Sequence, residues 1–355
     1  MELIPHWAPN LHPIIVHFPI AIILLAVLMD FLNFFLPDNW WDDIKSTILY
    51  SIGALSGIAA YYTGTWAADS IFVPTGAQSV LNEHSDWAVW TVWFFGIYVM
   101  LRIALHWYQK MDPRPIRIAL FVLALPGVFL LYETGDHGAE MVFGYGAGTG
   151  QLLQQQNIDS MTTDSLQENE STFTVHDNGD WTWEIGPNGV STLLTEFEWL
   201  EGGIQALRPT IRSNNKNHVL QLNPNSSPNF YISKETYQNV QVDYYVDMSN
   251  FEGDISLVNH VQDAKNYDFV MLSSDGMISQ GRVRNGEREI FEESKYSASG
   301  IMFIRTVANG THFRGYINKE MVVHGHGDAP QAGKIGVRLN GSGSIIIDKI
   351  SLTQL

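Results

Sequence analysis

From Pro13 to Leu36 the chain carries a single charged residue, Asp30. An apolar run longer than about eighteen residues reads as a helix that crosses a membrane. The run is introduced by Leu11-His12-Pro13-Ile14-Ile15-Val16-His17-Phe18-Pro19-Ile20. Imidazoles are costly guests in hydrocarbon, so His12 and His17 become the first candidates for a functional role.

Three more such stretches follow, at roughly 46–66, 86–108 and 114–133. Each has about twenty residues, enough at about 1.5 Å per residue to cross a hydrocarbon layer about 30 Å thick. Pro13 suits a helix start, and Pro19 and Pro126 are tolerable kinks inside spans. In the second span Gly53-x-x-x-Gly57, followed by Ala60 and Gly64, leaves one smooth face. Such a face serves either close helix packing or the approach of a flat cofactor to the backbone.

Near residue 150 the composition turns polar, which divides the chain into a transmembrane domain over 1–150, a linker over 151–171 and a second domain over 172–355. The linker is rich in Gln, Ser, Thr and Asn. From Thr172 onward the apolar period becomes two: Val242, Tyr244, Val246 and Met248 alternate with Asp243, Tyr245 and Asp247. Asp275-Gly276, Asn285-Gly286, Asn309-Gly310 and Asn340-Gly341 punctuate short apolar runs as hairpin turns would. The expected fold is therefore a four-helix transmembrane bundle followed by an antiparallel β-sandwich of jelly-roll type, with Ser344–Asp348 near its closing strand.

The net charge of −17, spread over both halves, argues against a nucleic-acid partner. With no cysteine, disulfides, thiolate metal sites, iron–sulfur clusters and covalent haem attachment by this chain are excluded. No basic segment precedes the first span, so it is expected to act as an uncleaved signal-anchor. Lys45, Arg102, Lys110, Arg114 and Arg117 surround the connections between spans one and two and between spans three and four. The positive-inside rule then puts the N-terminus, and everything after residue 133, outside a bacterial cytoplasmic membrane, in the periplasm or its equivalent.

On that topology His6, His12, His17, His84 and His137 all fall at the outer face, and His106 falls inside. Asp30 and Arg102, near the inner ends of their spans, are placed to neutralise one another. Residues 134–150 are glycine-rich and are expected to fold back as an interfacial cap. His12 and His17 are five residues apart, about 140° around a helix, and point to different places. His17 and His84 are the preferred ligand pair, lying near one depth on separate spans; His12 with His137 would complete a second site or a hydrogen-bond network. Imidazoles from two helices suit haem b, copper or, without metal, a quinol or proton path.

The opening motif resembles that of a prokaryotic family of four-span membrane proteins, whose members begin L-H-P-x-x-V-H-F-P-I, place a histidine near the third span and close with a T-G-H-x-G-G-like segment, here Thr134–Gly144. That likeness implies a redox membrane component. The second half is similar to concanavalin/laminin-G-like sandwiches, especially the keto-disaccharide hydrolase-like group, through Tyr267–Gly276, Gly281–Gly286 and Gly333–Arg338. In the sandwich, Glu196 with Glu198 and Asp243 with Asp247 would share strand faces, as paired glycosidase carboxylates or as solvated faces. His324-Gly325-His326 has metal-ligand spacing, and Trp181, Trp183 and Trp199 are either core or a platform for sugar.

The expected function is a membrane-anchored electron-transfer subunit that holds haem, with His17 and His84 as metal ligands and His12, His137, Gly53 and Gly57 completing its pocket. Its sandwich would dock to other subunits of a membrane complex or to a periplasmic electron carrier. The alternatives are a non-redox structural or interaction subunit, and a membrane-tethered carbohydrate-binding or glycoside-hydrolase-like protein.

Overall fold

The computed structural model describes residues 10–36, 40–111, 113–148, 172–214, 217–225, 227–297 and 299–355. The chain divides into two compact units, Met1–Asp159 and Ser160–Leu355. His6 and the linker expected at 151–171 lie outside the described residues.

A backbone surrounded by apolar side chains must satisfy its own polar groups, and the first unit does so with helices. They are α1 (His12–Ile15), α2 (His17–Leu32), α3 (Asp43–Ser70), α4 (Gln78–Trp107) and α5 (Arg114–Ala139), with a π-helical turn at Glu140–Gly144. Pro19 has no N–H to give the carbonyl of Ile15 and its ring crowds that carbonyl, so the helix is interrupted at Val16. At the start of α3 the Asp42 carboxylate accepts from the Lys45 N–H at 3.0 Å.

Three stretches, His12–Leu32, Thr75–Trp107 and Arg114–Gly144, are long and apolar enough to cross a membrane. The fourth long helix, α3, has 28 residues, about 42 Å of helix, and more polar side chains. The helices alternate in direction. Asp30, Asp43, Arg102 and Arg117 meet at one end, and His12, Thr63, His84 and Thr134 meet at the other. Ile23, Ala26, Tyr50, Phe95, Tyr98, Leu120 and Ala124 fill the middle.

Helix α5 does not stop near residue 133. It runs on through Gly135 and Gly138 to Ala139, where the sequence suggested an interfacial cap. Glycine weakens an isolated helix by about 1 kcal/mol, and here packing compensates: an added Cβ at Gly138 would lie 3.1 Å from Cε1 of His84.

The second unit is an antiparallel β-sandwich built on two long bent strands, β7 (Val240–Asp263) and β14 (Lys334–Gln354). The first half of β7 and the second half of β14 pair with one another and lie in the order β1-β2-β14-β7-β11-β12-β13. The outer members here are β1 (Thr172–Val175), β2 (Trp181–Glu184), β11 (Met302–Asn309), β12 (His312–Ile317) and β13 (Glu320–His326). Their other halves lie in the order β3-β6-β14-β7-β8-β9-β10, completed by β3 (Phe197–Glu201), β6 (Asn229–Ser233), β8 (Asn266–Ser273), β9 (Met277–Arg284) and β10 (Glu287–Lys295). Strands β4 (Thr210–Asn214) and β5 (Asn217–Leu222) join β14 near Ile345–Ile347.

Three of the four expected turns join neighbouring strands: Asp275-Gly276, Asn285-Gly286 and Asn309-Gly310. The fourth, Asn340-Gly341, lies inside β14 at its bend. There Gly341 faces Gly253 of β7, whose φ of +138° and close approach to the Asn340 carbonyl leave no room for a side chain. The alternating Val242, Tyr244, Val246 and Met248 all face the core, with Trp183, Leu257, Ile304 and Leu352.

Candidate functional site

The polar groups of the helical unit gather at its two ends. At the first, Arg102 is almost completely buried, 1% exposed, and its Nη1 donates to Asp30 at 2.7 Å and to the Tyr98 hydroxyl at 3.0 Å. Its Nε donates to the Thr47 hydroxyl at 3.0 Å. His106 joins through Thr47, and Arg117 pairs with Asp43 at 3.1 Å. The charge pair expected from the sequence thus forms, inside a network in which Thr47, Tyr98 and, at 3.5 Å, the Asp43 carbonyl accept from the guanidinium as well.

At the other end, His12 and His84 meet edge to face with ring centroids 6.4 Å apart. Nδ1 of His84 lies 2.8 Å from the Thr134 carbonyl oxygen, which can only accept. Nδ1 therefore carries the hydrogen, and Nε2 carries the lone pair. Nδ1 of His12 lies 3.3 Å from Oγ1 of Thr63, whose own proton goes to the Ala59 carbonyl at 2.9 Å. With that proton on a backbone carbonyl, Nδ1 of His12 is the donor to Oγ1 and His12 holds the same tautomer. Two rings from different helices present Nε2 lone pairs, each oriented through its Nδ1, as ligand histidines are.

The structure pairs His84 with His12, not with His17. His17 is exposed at the start of α2 and makes no hydrogen bond among the described residues; the interruption at Val16 sets the two histidines of the motif on different helices. His137 has contacts of its own. Its Nδ1 faces the Glu133 carbonyl at 2.8 Å and its Nε2 faces the Glu83 carboxylate at 3.0 Å, so both nitrogens are committed to acceptors.

The small-residue face of α3 receives neighbouring side chains. Ile23 of α2 sits against Gly53, where an added Cβ would meet its Cγ1 at 2.6 Å. Gly57 faces Pro19 and Val92, and Gly64 faces the ring of His12, whose Cε1 would lie 3.0 Å from an added Cβ. Gly53 and Gly57 are helix-packing positions, and Gly64 shapes the histidine site.

In the sandwich, the acidic side chains considered for hydrolysis are engaged elsewhere. Glu198 pairs with Lys334 at 2.5 Å, Glu196 with Lys234 at 3.9 Å, and Asp243 takes both arms of Arg305 at 2.7 and 2.8 Å. Asp247 accepts from the Ser249 N–H at 2.8 Å. Trp181 and Trp183 are core residues, and Trp199 packs against the core with its ring 5.7 Å from that of Tyr231. None of the three forms an open platform for sugar.

His324 and His326 do have a companion, His312, on the neighbouring strand. Sequence reading missed it because pairing between β12 and β13 has no local signature beyond the turn that joins them. A second missed group is buried in the other sheet: His260 Nδ1 faces Asp268 at 2.9 Å and its Nε2 faces the Gln238 carbonyl at 2.8 Å, while Arg282 closes on the same carboxylate.

No curated protein matches the chain. Among solved structures, a carbohydrate-binding module of family 66 from Bacillus subtilis is 16% identical, with 44% of this chain and 95% of that one covered and a TM-score of 0.35. A protein of unknown function with a galectin-like fold, also from Bacillus subtilis, is 11% identical over 52% of this chain and 97% of that one, at a TM-score of 0.38. A Bacillus licheniformis β-glucanase is 12% identical over 53% of this chain and all of its own, at 0.34. For the helical unit the match is to a family: residues 8–151 fit the one described as predicted membrane protein (DUF2231).

Proposed function

We propose that this chain is a non-catalytic accessory protein of a bacterial cytoplasmic membrane, in which four spans tether a sandwich that docks or binds a ligand on the outer side. The observation that carries the reading is the inverted character of the helical unit. Leu24, Leu28, Phe31, Trp93, Ile97, Met100, Val122 and Phe129 are exposed, while Asp30, Thr47 and Arg102 are buried. A helix bundle with an apolar outside and a polar inside is built for lipid. The antiparallel course of α3 between the same two ends as its neighbours supports a fourth span. Lys45, Lys110, Arg114 and Arg117 at one end support placing that end in the cytoplasm. The ion pairs that occupy Glu198 and Asp243 count against those side chains as glycosidase carboxylates.

The absence of native cysteine makes the topology directly measurable. Single cysteines replacing Glu320 on the sandwich and Gln109 between α4 and α5, both exposed, serve as probes. A membrane-impermeant maleimide is expected to label Glu320→Cys in intact cells and Gln109→Cys only after lysis. The reverse pattern sinks the orientation, and labelling of both positions on one side sinks the span count.

A second reading, a redox subunit, is favoured by the tautomers of His12 and His84. Two imidazoles oriented through Nδ1 and offering Nε2 are a fitting donor set for haem b or copper, and equally for hydrogen bonds to a quinol. In this reading the two rings supply the ligand nitrogens, Thr63 and Thr134 hold them in place, and the bound group supplies one-electron exchange with a partner. Spectra of the detergent-purified protein, oxidised and dithionite-reduced, are expected to show a Soret band that His84→Ala removes. A featureless spectrum, no copper by elemental analysis and no quinone in a solvent extract of the purified protein leave the tether alone.

A further inference from the structure

The sandwich carries its own set of converging imidazoles. In the antiparallel register of β12 and β13, His312 stands directly opposite His326, and Arg314 opposite His324. Residues two apart on a strand share a face, so the three histidines project from one side of the strand pair. Their ring centroids are 4.7 Å apart for His312 and His326, 4.8 Å for His324 and His326, and 6.1 Å for His312 and His324. One ring nitrogen from each lies within 4.8 Å of those from the other two. Three nitrogens around a tetrahedral zinc ion sit about 3.3 Å from one another, given metal–nitrogen bonds of about 2.0 to 2.1 Å. Binding therefore requires the rings to turn toward one another.

Two further observations point to a ligand. Nδ1 of His312 is buried and has no hydrogen-bond partner, a costly state for a ring nitrogen unless something accepts its lone pair or its proton. The frame beneath the rings is also fixed from the opposite sheet: the Glu292 carboxylate accepts from the His324 N–H, and the Gln280 side-chain oxygen accepts from the Gly325 N–H at 2.9 Å. Between the two histidines only a glycine fits, since a Cβ at Gly325 would meet Cβ of Phe291 at 2.6 Å.

We propose that His312, His324 and His326 form a binding site for a divalent first-row transition cation, with a fourth position open to solvent beside the exposed His326. An all-imidazole set in a chain without thiols suits Zn²⁺, Cu²⁺ or Ni²⁺. The neighbouring buried guanidinium of Arg314 adds positive charge, which favours an anionic fourth ligand such as hydroxide or a carboxylate.

Full-length protein in detergent, stripped with chelator, is titrated with Zn²⁺ by calorimetry and with Co²⁺ by visible absorption. The expected result is one sandwich site per chain with the visible bands of tetrahedral Co²⁺. His326→Gln and His324→Gln weaken Zn²⁺ binding by at least about tenfold, and the double variant His12→Ala/His84→Ala leaves it unchanged. His326 is exposed at the sheet edge, so its variant keeps the fold, which an unchanged melting temperature of the stripped protein verifies. Affinity unaffected by either glutamine variant, binding lost with the bundle variant instead, or no Zn²⁺ bound at all would each overturn the site.

Discussion

At the scale of single residues, a charge taken out of water is kept where partners surround it and penalised where they do not. Arg102 keeps its charge because Asp30, Thr47 and Tyr98 surround it. Asp30→Ala leaves that cation uncompensated and is expected to cost about 3–5 kcal/mol, read as a lower melting temperature in detergent. Asp30→Leu with Arg102→Leu is expected to recover most of the loss. In the sandwich, burial raises the Asp348 carboxyl above its ordinary value, and Glu184 adds to this while Lys349 opposes it. The folded state then binds its proton more tightly than the unfolded chain, so ionisation of Asp348 subtracts stability as pH rises above the ordinary carboxylate range. Asp348→Asn is expected to raise the melting temperature at pH 7 and leave it unchanged near pH 3, where both states are protonated; equal effects at the two pH values contradict this. Residues of the first kind are legible in a sequence, because lone charges such as Asp30 and Arg102 in apolar stretches must find one another. The partnership of His312 with His324 and His326 is not, because it depends on a register that the turn sets and the side chains do not announce.

At the scale of elements, glycine decides how close the helices come. Gly53 admits Ile23 of α2, whereas Gly57 has ordinary contact distances of 3.9 Å to Pro19 and Val92. Gly53→Leu is therefore expected to push α2 from α3 at a cost of about 1–3 kcal/mol, and Gly57→Ala to be tolerated, both measured by thermal unfolding in detergent. No loss from Gly53→Leu would show that the face is not a packing face. Four long helical stretches could be read from hydropathy alone. Their ends could not: the pause at Val16 comes from Pro19 acting on the preceding turn, and α5 continues past residue 133 because Gly138 lies against His84, a contact between distant segments. The pause at Val16 sets His12 and His17 on different helices, and the pair at the end of the bundle is His12 with His84, where similar depth on separate spans favoured His17.

At the scale of the molecule, two units reach stability by different routes, and their cores have no residue in common. The sandwich buries a large apolar interior between its sheets, so water drives its folding. In lipid that force is absent between helices, and the bundle relies on close packing at Gly53 and Gly127 and on the Arg102 network. The two routes respond differently to the same perturbation. Leu257, fully buried in the sandwich core, becomes a cavity in Leu257→Ala, at an expected cost of about 2–5 kcal/mol. Scanning calorimetry of the full chain in detergent should show two transitions, of which Leu257→Ala lowers one and Asp30→Ala the other. A single transition moved by both substitutions would mean that the units fold as one, and the sandwich could then not be regarded as a separate module carried by a membrane anchor.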